Sequence, residues 1–350
     1  MAEVVDLTAL SSDDDEQPAR STQRTDAPKR TIDLTFSSDE EGPPTQRARR
    51  ETAARPPVAP GANGPLVIVS WNAYSILPNS GNNRDKAMRF LQRLGKRPDA
   101  IVVTECTVQR KNERAARSAF GDDYTCFFTH VQDRPKEHKG AGVAFYVRRD
   151  SVLASNGRLL PSAPWDRWGM IGQYSCSLGV IVGAYLPTPT TKDAELREAL
   201  DDEWPLLLKS HRHRLICFCG DLNATVSRTL DATTWFSGTR YDASRRMLEN
   251  AVRDLRLIDV VRNKWPATAR YTAFQSRPDK NQYWRARPDH FLVPQGRSSL
   301  VELVVVPYGE PWVRRLPATE RCPERFISID KEGTLCGLDH VPIIVTMRLA

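Results

Sequence analysis

The sequence predicts an α/β fold, a four-layer sandwich of two packed mixed β-sheets flanked by helices, preceded by a disordered N-terminal tail. Three observations predict it. Apolar runs of strand length recur through most of the 350-residue chain. Helical patterns alternate with these runs at first, whereas later strands follow one another directly, which is the order of two sheets with flanking helices. The composition changes near residue 64, and no second low-complexity linker follows, so residues 64–350 form one predicted domain.

Residue patterns define the predicted elements one by one. Apolar and β-branched runs bounded by Gly, Pro, Asn or Asp predict the strands, and the unbroken run 215–219 predicts a buried strand. Leu and Arg at helical spacing predict the helices. In chain order the predicted strands are 66–70, 100–104, 142–147, 172–177, 179–185, 215–219, 290–293 and 341–347, and the predicted helices are 84–94, 194–209 and 244–255.

Residues 1–63 have the composition of a disordered segment. They are rich in Ser, Thr, Asp, Arg and Pro, and Phe36 is their only aromatic residue. Such a segment buries too little apolar surface to offset the entropy lost on ordering. It holds 8 Lys+Arg against 12 Asp+Glu, so the excess of Lys and Arg lies in the body of the chain. A basic body suits a polyanionic partner such as DNA, and a solvated basic face is the alternative.

One pattern occurs twice in the tail: a short apolar and β-branched run followed by acidic, serine-rich sequence. Such a run can add a strand to the sheet edge of a partner, and the acidic residues then meet basic residues beside that edge. The pattern resembles tandem SUMO-interacting motifs and implies SUMO or a SUMOylated protein as partner. The alternative is an acidic tail that only solvates the chain. The two copies span residues 4–16 and 31–41, with apolar positions Val4, Val5, Leu7, Ile32 and Leu34.

The composition favours a reducing compartment. The 7 cysteines are scattered and never spaced as Cys-x-x-Cys, which argues against a disulfide framework or a structural zinc site. No apolar run approaches the roughly 18 residues of a membrane span, and the acidic N-terminus is not that of a signal peptide. We expect a nuclear or cytosolic monomer without a membrane partner. The basic cluster 47–50 fits a nuclear localisation signal or a charged linker.

The most informative motif is Gly220-Asp221-Leu222-Asn223, which directly follows the apolar run 215–219. A buried strand that ends in this way delivers a carboxylate and a carboxamide to the edge of a sheet, and the glycine permits the tight turn. Asp and Asn also cap helices and occupy turns, so the tetrapeptide alone does not establish a catalytic site.

Polar residues occupy the ends of other predicted strands as well. Phosphodiester hydrolysis requires a hard divalent cation on oxygen ligands, a base near water, and donors for the charged phosphate oxygens. Glu, Asp, Asn, Tyr and His supply these groups. Each residue alone has an ordinary structural interpretation, and only their joint order favours catalysis. The residues are Asn72, Glu105, Tyr185, Asp289, Asp339 and His340.

These motifs, in this order, resemble the endonuclease/exonuclease/phosphatase superfamily, which includes DNase I and the exonuclease III-type apurinic endonucleases. The resemblance covers residues 64–350. Residues 70–73, 140–144 and 339–343 are most similar to the endonuclease domains of non-LTR retrotransposons. The resemblance implies a Mg²⁺-dependent phosphodiesterase, with Mn²⁺ as a substitute, that acts on DNA and leaves a 3′-hydroxyl and a 5′-phosphate.

The resemblance also implies roles for the metal-side and water-activating residues. Glu105 would be the main metal ligand, with Asn72 and Asp339 completing the metal side. Asp221 would position or deprotonate the attacking water, and Asn223 would donate to the phosphate.

The phosphate-binding residues follow in the same way. Tyr185 would hydrogen-bond the scissile phosphate or assist near the metal. His340 would bind a phosphate oxygen, with its tautomer and charge set by Asp289, because a His–Asp pair orients the imidazole and raises its pKa. His211 and His213 are expected to be solvated, and His290 to point to the opposite face of its strand from Asp289.

Four positions depart from the usual pattern of the superfamily. Thr104 is found where the family usually has a Gln before the catalytic Glu, and Leu338 where it has a Ser. Tyr74 occupies a position where many apurinic endonucleases have a second acidic metal ligand, and Thr188 a position often held by Asn. No primary catalytic group is missing, so activity is expected. The departures argue against a specialised abasic-site enzyme.

Two alternatives to a SUMO-recruited DNA endonuclease remain. One is a repair enzyme that resembles the tyrosyl-DNA phosphodiesterase, which the paired SUMO-like motifs favour. The other is a non-catalytic SUMO- and DNA-binding adaptor, which the intact set of polar residues argues against. The sequence leaves the preferred substrate open.

Overall fold

The computed structural model describes residues 64–73, 90–92, 94–106, 108, 113–129, 142–161, 169–188, 194–232, 241–277, 282–307, 313–316, 325–328 and 340–349. The SUMO-like motifs, the basic cluster 47–50, Asp339 and Tyr74 lie outside these residues, so the predictions on them stay predictions. Within the described part of the chain, no helix combines the length and apolarity of a membrane span.

The described residues form sixteen strands, four α-helices and two short 3-10 helices, and several strands follow one another directly. The helices are α1 (Glu113–Arg117), α2 (Ala194–His211), α3 (Asp242–Asp254) and α4 (Val260–Lys264), with short 3-10 helices at Val152–Ala154 and Gln295–Leu300. The strands are β1 (Leu66–Asn72), β2 (Ala100–Thr104), β3 (Tyr124–Phe128), β4 (Val143–Arg148), β5 (Arg158–Leu159), β6 (Ile171–Cys176), β7 (Gly179–Tyr185), β8 (Leu215–Asp221), β9 (Leu257–Asp259), β10 (Ala273–Arg277), β11 (Gln282–Ala286), β12 (Asp289–Pro294), β13 (Val301–Val305), β14 (Val313–Leu316), β15 (Arg325–Ser328) and β16 (Ile343–Met347).

Two six-stranded mixed sheets make up the centre of the fold. The first has the order β13-β16-β1-β2-β4-β3, and the second has the order β5-β6-β7-β8-β12-β9. Each contains one parallel pair, β1 with β2 and β7 with β8, among antiparallel neighbours. The hairpins β10–β11 and β14–β15 form separate two-stranded sheets.

The main hydrophobic core lies between the two sheets. Ile68 and Phe145 from the first sheet pack in one buried cluster with Ile181 and Phe291 from the second. The sheets approach closely here, because a Cβ at Gly183 would lie 2.6 Å from a methyl group of Val102. Burial of this apolar surface is the main stabilising contribution.

Separate clusters cover the outer faces of the sheets. Phe90 stacks on Trp71 with ring centroids 4.0 Å apart on the first sheet. On the second sheet, Trp204 of α2 stacks on Phe218 of β8 at 5.1 Å. The prediction of a four-layer α/β sandwich is therefore confirmed.

Most of the predicted helix 84–94 lies outside the described residues, so that prediction stays a prediction. The other predicted elements agree with the structure in type, and the differences lie at their ends. β1 and β8 run two residues beyond the predicted ends, so Asn72 and Asp221 lie within strands. Eight strands of the structure were not predicted from the sequence: β3, β5, β9, β10, β11, β13, β14 and β15. Each has at most five residues, too few for a periodic pattern to stand out.

Candidate active site

The site lies at one end of the inter-sheet core, where β1 of the first sheet faces β8 of the second. Asn72 Nδ2 donates a 2.8 Å hydrogen bond to Oδ2 of Asp221, which joins the two sheets through buried side chains. Asp289 is directly opposite Asp221 in the β8–β12 register. Three residues from distant parts of the chain therefore meet at one position.

The backbone after β8 turns sharply to place Asn223. Gly220 has a φ of 138°, and a Cβ there would lie 2.0 Å from the Ala184 carbonyl oxygen, so the position requires glycine. Asn223 has a φ of 44°, a left-handed conformation that costs energy for a residue other than glycine. Its N–H donates to Asp221 Oδ1 at 2.8 Å, and its side-chain amide donates to the Leu186 carbonyl at 2.8 Å.

Asp289 and His340 form the predicted pair. The Oδ2 atom of Asp289 accepts hydrogen bonds from His340 Nδ1 at 2.7 Å and from the Thr272 hydroxyl at 2.6 Å. Thr272 also accepts a 2.7 Å bond at its carbonyl from Val341 N, which holds the chain beside His340. The carboxylate therefore sets the orientation of the imidazole, with Nδ1 as the donor.

The carboxyl group of Asp221 is strongly perturbed. Burial raises its pKa from the ordinary 3.8 to about 8, and the neighbouring carboxylates of Asp289 and Glu105 act in the same direction. The nearby His340 and the bond from the Asn223 N–H oppose this rise. A carboxyl group with a pKa near neutrality is suited to accept a proton during a reaction.

Glu105 and Tyr185 reach the same end of the sheets. Glu105 directly follows β2 and is half-buried. Its φ of 55° makes it a second non-glycine residue of the site with a left-handed backbone. Tyr185 is paired with Asp221 across the parallel strands β7 and β8. Of the predicted site residues, Asp339 is the one outside the described part of the site.

The acidic cluster fits a divalent cation. Donor atoms of Asp221, Asp289 and His340 lie within 4.8 Å of one another. Asp289 Oδ1 is buried and has no hydrogen-bond partner within the residues that the structure describes. A hard divalent cation prefers oxygen ligands of this kind and would offset the repulsion between neighbouring carboxylates.

The sequence reasoning missed Thr272 and gave no role to Arg287. Arg287 is buried and bonds Asp231 through Nε at 3.0 Å and Asp259 through Nη1 at 2.7 Å. Its position directly before Pro288 and Asp289 was the available signal. His290 bonds Asp259 and the Ala224 carbonyl rather than the site, as predicted.

The prediction of two solvated histidines is wrong for His211. Its Nε2 lies 2.7 Å from the Gln173 side-chain oxygen. Burial lowers the pKa of the imidazole, and the positive charge of Arg214 lowers it further. It ends helix α2 and packs there, whereas His213 is exposed.

An α/β sandwich that converges carboxylates, amides and an oriented histidine at one end of its two sheets defines a class of hydrolases of phosphoester bonds. Residues 69–328 match the Endonuclease/Exonuclease/phosphatase family, and the chain belongs to this family. No curated protein sequence gives a match.

Solved structures share the fold at low sequence identity. The AP endonuclease LMAP from Leishmania major superposes with a TM-score of 0.60 and 16% identity, over 81% of this chain and 88% of the other. An AP endonuclease from Archaeoglobus fulgidus superposes with a TM-score of 0.58 and 16% identity, over 81% of this chain and 99% of the other. The 3′-5′ exonuclease NExo from Neisseria meningitidis superposes with a TM-score of 0.54 and 19% identity, over 81% of this chain and 100% of the other. These likenesses establish the fold.

Proposed function

We propose that the chain is a Mg²⁺-dependent DNA endonuclease of the non-LTR retrotransposon type that leaves a 3′-hydroxyl and a 5′-phosphate. One observation carries the proposal. Asp221, with its pKa raised to about 8, bonds Asn72 and Asn223 and lies opposite the Asp289–His340 pair. A proton acceptor and phosphate-binding donors are thereby held together in a buried site.

Each residue has a role that follows from its bonds. Asp221 accepts a proton from the attacking water, and its bonds to Asn72 and Asn223 fix the carboxylate for that transfer. The amide of Asn223 has two N–H groups, of which one bonds Leu186. The other N–H, together with His340, donates to phosphate oxygens that gain charge in the transition state.

Mg²⁺ would be held by Glu105 as the principal ligand, beside the cluster of Asp221, Asp289 and His340, with Mn²⁺ as a substitute. When bound, the cation supplies Lewis-acid stabilisation of the charged phosphate and the leaving oxygen. Asn72 orients the ligand shell through its bond to Asp221.

DNA is the proposed substrate for two reasons. The chain has a net charge of +7, although its first 63 residues are acidic, and a basic body attracts the phosphate backbone. The structural neighbours are described as DNA-processing enzymes, and one from Neisseria, 20% identical with a TM-score of 0.56, is bound to a product DNA hairpin.

We also infer the organisation of the whole chain. Residues 1–63 form a nuclear recruiting tail that binds SUMO through its two motifs, and residues 64–350 form the catalytic domain. Two copies of a weak motif raise overall affinity because the second binding event is intramolecular.

The test of the catalytic proposal is cleavage by the full chain with Mg²⁺ or EDTA. The panel holds supercoiled plasmid, an abasic duplex, single-stranded RNA and a 5′-tyrosyl oligonucleotide, and Asp221→Asn is the control. Mg²⁺-dependent nicking of plain plasmid by the wild type alone is the expected result. Selective release of tyrosine from the 5′-tyrosyl oligonucleotide would contradict the endonuclease proposal and support the repair enzyme. DNA binding without cleavage of any substrate would support the non-catalytic adaptor.

The test of recruitment is capture on immobilised SUMO. Alanine at Val5 and Leu7 or at Ile32 and Leu34 should each weaken binding, and all four together should abolish it. The recruitment proposal fails if the fourfold variant binds as the wild type does.

A further inference from the structure

The loop after β8 is held by three buried basic side chains. Its carbonyl oxygens at Leu222, Ala224 and Thr225 each accept a hydrogen bond from one of them. These bonds surround Asn223, which has a left-handed backbone. The donors come from three different elements: Arg197 of α2, His290 of β12 and Arg245 of α3.

Arg197 makes the most consequential of these contacts. Its Nη1 donates to the carbonyl of Leu222 at 2.6 Å and to the carbonyl of Pro187 at 2.9 Å. Pro187 follows β7 and Leu222 follows β8. One nitrogen atom therefore joins the loop beyond Tyr185 to the loop that carries Asn223.

The guanidinium of Arg197 is itself fixed. Its Nε donates to Asp201 Oδ2 at 2.8 Å, one helical turn away, and Arg197 is only 3% exposed. Trp204 Nε1 lies 3.4 Å from the other oxygen of Asp201, and Trp204 stacks on Phe218 of β8. The contact to the loops is thus supported from the core beneath α2.

The other two donors are also paired with carboxylates. Arg245 donates to the Thr225 carbonyl at 3.1 Å and forms an ion pair with Asp242. His290 Nε2 donates to the Ala224 carbonyl at 2.9 Å, while its Nδ1 lies 3.1 Å from Asp259. Because each basic group has an acidic partner, the three act by orienting the loop rather than by adding positive charge to the site.

The strain at Asn223 explains why such support is needed. A left-handed backbone persists outside glycine only where surrounding contacts over-determine it. The Asn223 N–H contacts Asp221 and its side chain contacts Leu186, so a shift of this loop moves two site residues at once.

We propose that Arg197 is a positioning residue for phosphodiester cleavage, because it sets the separation of the loops that follow β7 and β8. The inference rests on the proposed function. Arg197 acts on the reaction through the positions of Tyr185 and Asn223, not by contact with the substrate.

The test compares Arg197→Met and Arg197→Lys with Arg253→Met, a control on α3 whose side chain is 70% exposed. Misplacement of catalytic groups by about 1 Å costs about 100-fold in rate, so we expect kcat of R197M to fall by about that factor with KM changed less than about threefold. The lysine of R197K keeps a positive charge that can reach Asp201 and one of the two carbonyls, so kcat of R197K should be roughly tenfold higher than kcat of R197M. R253M should match the wild type.

Hydrogen–deuterium exchange of the full chain gives a readout that does not depend on activity. Amides of residues 222–226 should exchange faster in R197M than in the wild type or R253M. The melting temperature of R197M, measured beside that of R197K, identifies any general loss of folding. Equal exchange in this loop, or a kcat of R197M within about threefold of the wild type, overturns the proposal. If the wild type cleaves nothing, the proposed function fails, and exchange alone decides whether Arg197 holds the loop.

Discussion

The raised pKa of Asp221 predicts a specific dependence of stability on pH. The carboxyl group has an ordinary pKa of 3.8 in the unfolded chain and a pKa of about 8 in the fold. Between these values folding takes up a proton, so the contribution of Asp221 to stability is present at low pH and is lost as the pH rises through about 8. One pKa unit equals about 1.4 kcal/mol, so ionising Asp221 in the metal-free fold costs at most about 6 kcal/mol.

Asp221→Asn removes this cost because the amide has no charge to lose. We expect the free energy of unfolding of D221N, minus that of the wild type, to rise by about 3 kcal/mol from about pH 5.5 to about pH 8.5. The assay is urea unfolding in EDTA, followed by tryptophan fluorescence. The same variant should lack cleavage activity, so it gains stability where it loses function.

The control is Asp254→Asn, which removes a carboxylate whose side chain is 62% exposed at the end of α3. A difference between D221N and the wild type that stays constant across the pH range would refute the reasoning, because Asp221 would then carry no burial cost. A difference of opposite sign would place the carboxylate in a stabilising ion pair instead.

Three further predictions concern the neighbouring residues. Gly220→Ala should lower the free energy of unfolding by about 3 kcal/mol or more in urea titrations, because its Cβ would meet the Ala184 carbonyl; an unchanged midpoint contradicts this. Asp289→Asn should lower kcat on plasmid by at least about 100-fold, because an amide N–H facing Nδ1 of His340 would favour the wrong tautomer and the charged acceptor is gone; normal turnover rules out that role. Mg²⁺ should raise the melting temperature of the wild type but not of Glu105→Gln; an equal rise in both removes Glu105 from the metal site.

Local sequence predicts the strand ends that carry the site. The bounds predicted for β2 and β7 agree with the structure, because each is an apolar run that polar or Pro-containing sequence ends. β8 extends to Asp221 instead of ending at residue 219, since Gly220 and Asp221 pair with His290 and Asp289 of β12. That extension depends on a distant strand, which no local pattern encodes.

The supporting residues are harder to predict than the site itself. Thr272 lies in a loop before β10 and bonds Asp289 from 17 positions away. Arg197 has the ordinary spacing of a helix surface residue, an i, i+4 pair with Asp201, yet it is buried against two loops. The spacing of Arg197 and Asp201 in the sequence predicts their ion pair, but it does not predict that the guanidinium also donates to the carbonyls of Pro187 and Leu222.

The sequence by itself determined the layers of the fold, the order of its catalytic residue types and their placement at strand ends, because hydrophobic period and turn chemistry are local properties. The tertiary structure decided which of these groups touch. Asn72 and Asp221 are 149 positions apart and belong to different sheets, yet they are joined by a 2.8 Å bond. A hydrogen bond tolerates a deviation of only a few tenths of an ångström in the distance between donor and acceptor, and that distance is set here by the packing of the entire inter-sheet core.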